Sequence, residues 1–207
     1  MQRNPTQQVC SNAVARLAAL AVWAGMWMAA SPVCLGSQDR LTVAVMNYAG
    51  VETGLLERAA NLSRNILQRA GIESTWLVCQ RPDECALPPL GTYVRMIVAK
   101  QTMGPVLGMA MMDTLAAGNP QVYAFRGPVV ELALKTNYPI WMVLADVMVH
   151  ETLHLFGLQH TKRGIMRPSI DKKELADLGS GELLVPGQVQ KVREGLSRLQ
   201  PTLLAAR

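Results

Sequence analysis

Histidine is scarce in this chain, three in 207 residues, and all three lie between positions 150 and 160. Charge is scarce too, at 17% of residues, and aromatics make up only 5%. So little charge beside 50% apolar residues excludes a disordered tail. The 16 Gly and 12 Pro follow no period, which excludes collagen-like and repeat arrays. The formal charge is +5, and it falls to +3 without the first 37 residues, which hold Arg3 and Arg16 and no acid. That excess is too small and too scattered for a nucleic-acid reader, so no nucleic-acid partner is expected. The four cysteines include no C-x₂-C pair, which excludes a cysteine-based metal knuckle. Spaced Asp and Gly of the calcium-loop kind are missing, so no second metal is indicated. What remains is apolar material sufficient for one core and too little for two.

No acid precedes Asp39, and after Arg16 comes a run of fourteen apolar or small residues, 17–30. Residues 1–37 therefore read as a signal peptide, with an uncleaved single membrane anchor as the alternative. Residues 38–207 are expected to form one exported domain, periplasmic or extracellular, that meets the membrane only if the leader is kept. Cys10 and Cys34 fall in the leader, leaving Cys79 and Cys85 across a loop with Pro82. In an oxidising compartment these two can close a small disulfide; two free thiols are the other possibility.

Residues 41–48 are β-rich and end at Gly50. Between 51 and 70, Leu55, Leu56, Ala59, Leu62, Ile66 and Leu67 recur at three and four, and Gly71 stops the pattern, which predicts a long amphipathic helix. Strands are predicted over 74–79, 92–99, 108–112 and 121–126. A brief helix follows around 129–134, then a helix from about 139 to 156, and a last one opens at Pro186 with Val189, Val192, Leu196 and Leu199 on one face. The order is that of an α+β domain.

Residues 150–160 read H-E-x-x-H-x-x-G-x-x-H. Positions four apart share a helix face, so His150 and His154 can aim at one ion. Glu151 projects beside that ion, where a carboxylate can take a proton from an activated water. His160 would lie nearly on the far side of a continuing helix. Gly157, placed where a left-handed residue ends a helix, supplies the turn that brings it back. Three imidazoles leave a fourth position open, the pattern of catalytic rather than structural zinc, so Zn²⁺ is the expected cofactor. Three histidines placed at random adopt this spacing in on the order of one arrangement in ten thousand. Asp146, one turn earlier, is either an acceptor that orients a ligand or a solvated or capping carboxylate.

This motif, followed by Gly164, Ile165 and Met166, resembles that of the metzincin clan of zinc endopeptidases, and the chain looks like a minimal exported member of bacterial type. The resemblance implies a zincin-like α+β domain, with a twisted mixed sheet, a long backing helix, an active-site helix and a C-terminal helix. It implies His150, His154 and His160 as ligands, Glu151 as general base and Met166 in a turn beneath the metal. A peptide or protein substrate would lie antiparallel to an edge strand, best matched by 108–112, with Arg167, Pro168 and Ser169 walling the pocket. The protein is expected to be a monomer. Some clan members place a tyrosine two positions after the methionine; Pro168 stands there. Two other readings fit the motif: a non-peptidase zinc hydrolase such as a cell-wall peptide amidase, or a non-enzymatic metal-binding protein that keeps the site. Glu151 speaks against the second, because holding zinc does not need it.

Overall fold

The computed structural model describes residues 40–81, 85, 92–100, 106–116, 119–178 and 183–205. The expected leader, with Cys10 and Cys34, lies outside them. Strand β1 is Leu41–Asn47, followed by helix α1, Thr53–Arg69, and strand β2, Ser74–Cys79. Then come β3 (Thr92–Ala99), β4 (Gly108–Met111), α2 (Met112–Ala116), β5 (Gln121–Phe125) and α3 (Arg126–Thr136). The chain continues through α4 (Ile140–Leu155), α5 (Lys172–Asp177) and α6 (Pro186–Ala205). Among the described residues no helix is long and apolar enough to cross a membrane.

The five strands form one sheet in the order β2-β1-β3-β5-β4. Its first three pairings are parallel and β4 runs antiparallel to β5 at the edge, so the sheet is mixed. Alternation along the strands directs Leu41, Val43 and Val45, Val94, Met96 and Val98, and Val122 and Ala124 to one face, all buried. Helices α1 and α4 cover that face, α1 with Leu56, Ala59, Ile66 and Leu67, and α4 with Val143, Leu144, Val147 and Met148. Ser63 lies where the two helices meet, its hydroxyl donating to Ala59 O at 2.9 Å and to Ala145 O at 3.4 Å. Burying a hydroxyl costs little when a carbonyl receives it. Cys79 and Cys85 are joined in a disulfide, with Cα atoms 5.5 Å apart.

Three elements differ from the sequence expectation. Helix α3 spans Arg126–Thr136 rather than about 129–134; Gly127 and Pro128 read as breakers, yet proline in a first helical turn needs no intrahelical partner for its nitrogen. The strand expected to reach 112 ends at Met111, where α2 begins with Thr114 Oγ1 donating to Met111 O at 2.6 Å. Helix α5 was also unanticipated, although Asp171 followed by Glu174 carries a start signal: Asp171 Oδ1 accepts from Glu174 N at 2.9 Å. Asn137 takes φ 59° and ends α3, and Pro139 precedes the first residue of α4.

Candidate metal centre

Helix α4 supplies the first two histidines from its last turns, where every residue from Val143 to Leu153 is buried. An apolar helix seated in a core holds its side chains in fixed rotamers, which is what ligands need. The helix ends in a Schellman turn: Leu158 N–H donates to Leu153 O at 3.3 Å and Gly157 N–H to His154 O at 2.9 Å. Gly157 adopts φ +85°, a backbone that side-chain-bearing residues resist. The turn reverses the chain and brings His160 back to the helix.

His150 Nε2 lies 3.0 Å from His154 Nε2 and 3.2 Å from His160 Nε2, and the last two nitrogens are 3.1 Å apart. These contacts are not hydrogen bonds among the imidazoles. His150 Nδ1 lies 2.7 Å from Ile165 O and His154 Nδ1 lies 2.8 Å from Leu158 O. A carbonyl can only accept, so both Nδ1 atoms carry the proton and both Nε2 atoms present bare lone pairs. Facing lone pairs call for a shared cation. Zinc–nitrogen bonds of about 2.0–2.1 Å in a tetrahedron place their nitrogens about 3.3 Å apart, so the spacing of this triad fits such an ion. Burial holds His150 down at about 4, with His154 and His160 adding to the effect against the Ile165 carbonyl. Burial lowers His154 as well.

Glu151 projects from α4 beside the triad and is buried. Burial pushes its carboxyl up to about 7, and the backbone N–H of Ala110 on β4 opposes the rise. His150, His160 and Glu151 face a cleft of about 850 Å³. One wall comes from Val106, Leu107 and Gly108, entering the edge strand, and another from α3, with Leu132 between Glu131 and Lys135. Arg167, Pro168, Ser169 and Ile170 form the third. Met166 is fully buried in a turn closed by Arg167 N–H donating to Gly164 O at 3.2 Å. The neighbouring Ile165 carbonyl is the one that fixes His150.

Asp146 meets neither expectation. It is fully buried within α4, so it is neither solvated nor a cap, and His150 turns its Nδ1 to Ile165 instead. Its carboxylate oxygens and those of Glu174, on α5, have no hydrogen-bond partner among the described residues. Burial, reinforced by the charge of Glu174, raises Asp146 well above the ordinary value of its carboxyl. Glu174 rises to about 7 for the same first reason, with Arg167 working against it. Arg167 Nη1 is 2.7 Å from Asp171 Oδ2 and 3.9 Å from Glu174 Oε2. Sequence reasoning placed Arg167 on the pocket wall but missed Glu174 and the Ala110 contact. The Asp-x-x-Glu start signal pointed to Glu174; nothing local points to Ala110.

No family model matches the chain and no curated protein matches it in sequence. Among solved structures, it is similar to the crystal structure of an archaemetzincin from Methanopyrus kandleri. That likeness has a TM-score of 0.48 at 13% identity, over 80% of this chain and 99% of the other.

Proposed function

We propose that the protein is a zinc-dependent endopeptidase of the metzincin kind. The observation that carries this reading is the meeting of three imidazole Nε2 atoms within 3.2 Å of one another, two of them stripped of their proton by carbonyls at Nδ1. A shielded glutamate beside them adds the base that a purely structural site lacks. Bound zinc would supply Lewis acidity, acidifying a water and polarising a carbonyl. The rest is the work of the chain. His150, His154 and His160 hold the ion. Glu151, ionised, takes the proton of the attacking water and then hands it to the departing amine, which restores its starting state. The unpaired side of β4 offers main-chain groups to an extended peptide lying antiparallel to it. The apolar parts of the cleft, Leu107, Leu132, Val147 and Ile170, receive a side chain next to the cleaved bond. Export through residues 1–37, by cleavage or with the segment kept as an anchor, and a monomeric state belong to the same proposal.

The test is metal analysis and peptide-library cleavage with the purified domain. One equivalent of zinc, cleavage abolished by chelation and restored by zinc, and a loss of at least about 10³-fold in kcat for Glu151→Ala are expected. Zinc-loaded protein that cleaves no peptide of a diverse library overturns the peptidase reading. Cleavage that survives Glu151→Ala overturns the assigned base.

A further inference from the structure

The edge strand comes unusually close to the active-site helix at one residue. A Cβ at Gly108 would lie 2.6 Å from Glu151 Cγ, 2.7 Å from the carbonyl oxygen of Tyr123 and 2.8 Å from Val147 Cγ1. No side chain fits there, and the Tyr123 oxygen belongs to the neighbouring strand, so it cannot swing aside. The φ of Gly108 lies outside the left-handed region; glycine is required by proximity alone.

The phase of the ladder completes the picture. Phe125 N–H donates to Leu107 O at 2.8 Å, and Gly108 sits opposite Ala124. In an antiparallel pair, main-chain groups alternate between the partner strand and the outside. Leu107, Met109 and Met111 therefore turn theirs toward β5, whereas Gly108 and Ala110 turn theirs outward, away from β5. Of these outward groups, the Ala110 N–H lies on the part of the strand that Gly108 brings against Glu151, where it favours the charged form of the carboxylate.

We propose that β4 is a positioning device for Glu151: the missing side chain at Gly108 lets the strand settle onto α4, and Ala110 then fixes the carboxylate through its outward backbone N–H. Gly108 and Ala110 are positioning residues, and only the catalytic consequence rests on the peptidase reading above. A carboxylate on a freely rotating side chain samples many directions, and a displacement of about 1 Å can cost about 100-fold in rate. The strand that would receive the substrate thus also sets the base, so an incoming chain and the base share one reference.

The experiment uses the full chain, metal-free and zinc-loaded. Amide exchange of Ala110 and of Met109, read by NMR on the metal-free protein, is compared in wild type, Glu151→Ala and Gly108→Ala. Ala110 exchange is expected to accelerate by about tenfold or more in both variants, because the bond to a charged acceptor is lost. Met109, bonded to β5, should stay protected in Glu151→Ala. On a cleaved peptide, zinc-loaded Gly108→Ala should lose about 100-fold in kcat, with KM within about threefold and zinc stoichiometry unchanged. An Ala110 amide indifferent to Glu151→Ala overturns the proposal, and so does Gly108→Ala with wild-type kcat. Should Gly108→Ala fail to fold, the Glu151→Ala amide comparison still decides. If wild type cleaves nothing while Ala110 responds to Glu151→Ala, the positioning stands and the peptidase reading falls.

Discussion

Burial drives Glu174 and His150 toward the same neutral state from opposite sides, and the two groups consequently respond to pH in opposite directions. Glu174 rises from an ordinary value near 4.5 to about 7 in the folded chain. It binds its proton more tightly when folded, so its contribution to stability is complete below about 4.5 and disappears as the pH climbs to 7. His150 falls from 6.5 to about 4, so its contribution is complete above 6.5 and disappears as the pH drops toward 4. Glu174→Gln removes the first dependence and leaves the second. Denaturant melts of variant and wild type should coincide near pH 4.5 and diverge as pH rises, with the variant ahead by up to about 3 kcal/mol at pH 7.5. Parallel pH profiles would show that Glu174 holds no extra proton in the fold. The histidines were legible in the sequence because helix geometry fixes which positions share a face. The environments of Asp146 and Glu174 were not, because burial comes from the packing of two helices that no local pattern records.

At the scale of elements, the site depends on how α4 ends. A Cβ at Gly157 would meet nothing within 4 Å, so the cost of filling it is one of backbone conformation alone. Holding alanine at a positive φ costs about 1–2 kcal/mol. Gly157→Ala should lower the unfolding free energy by about that amount and weaken zinc binding, since relaxing the turn moves both His160 and the Leu158 carbonyl that sets His154. Competition with a chromophoric chelator measures the second effect, and an unchanged zinc affinity would separate the turn from the site. Gly157 could be read beforehand because a histidine ring had to be retrieved. Other elements hid behind residues with two meanings: Pro128 breaks a helix interior but suits a first turn, and Met112 carries a strand pattern onward while opening α2. Strand limits at 74–79 and 92–99 were plain, since periodicity and flanking turns agreed there.

For the molecule as a whole, the ion is expected to act as a fastener. Its ligands span the end of α4 and the loop beyond, so a ligand that binds only the folded chain adds stability through mass action. At free zinc about 100 times its Kd the gain is about 2.7 kcal/mol, which for a domain of this size raises Tm by about 5–10 °C. Differential scanning calorimetry of chelated and zinc-loaded protein checks this, and coincident Tm values would mean that the triad holds no ion. The α+β class was legible from the order of elements alone. The strand order β2-β1-β3-β5-β4 was not, because pairing is decided by contacts distant in sequence.

The carbonyl of Ile165 that fixes His150 belongs to a loop which is itself pinned from further along: Ile165 N–H donates to Leu183 O at 3.2 Å, and Gly164 leaves room for that same carbonyl. The ligand cage thus closes only once residues well beyond it have joined the fold. A chain that stopped just after His160 would own every imidazole yet lack the carbonyl that fixes His150. Completion of the centre thus calls on Leu183 as well as on the histidines themselves.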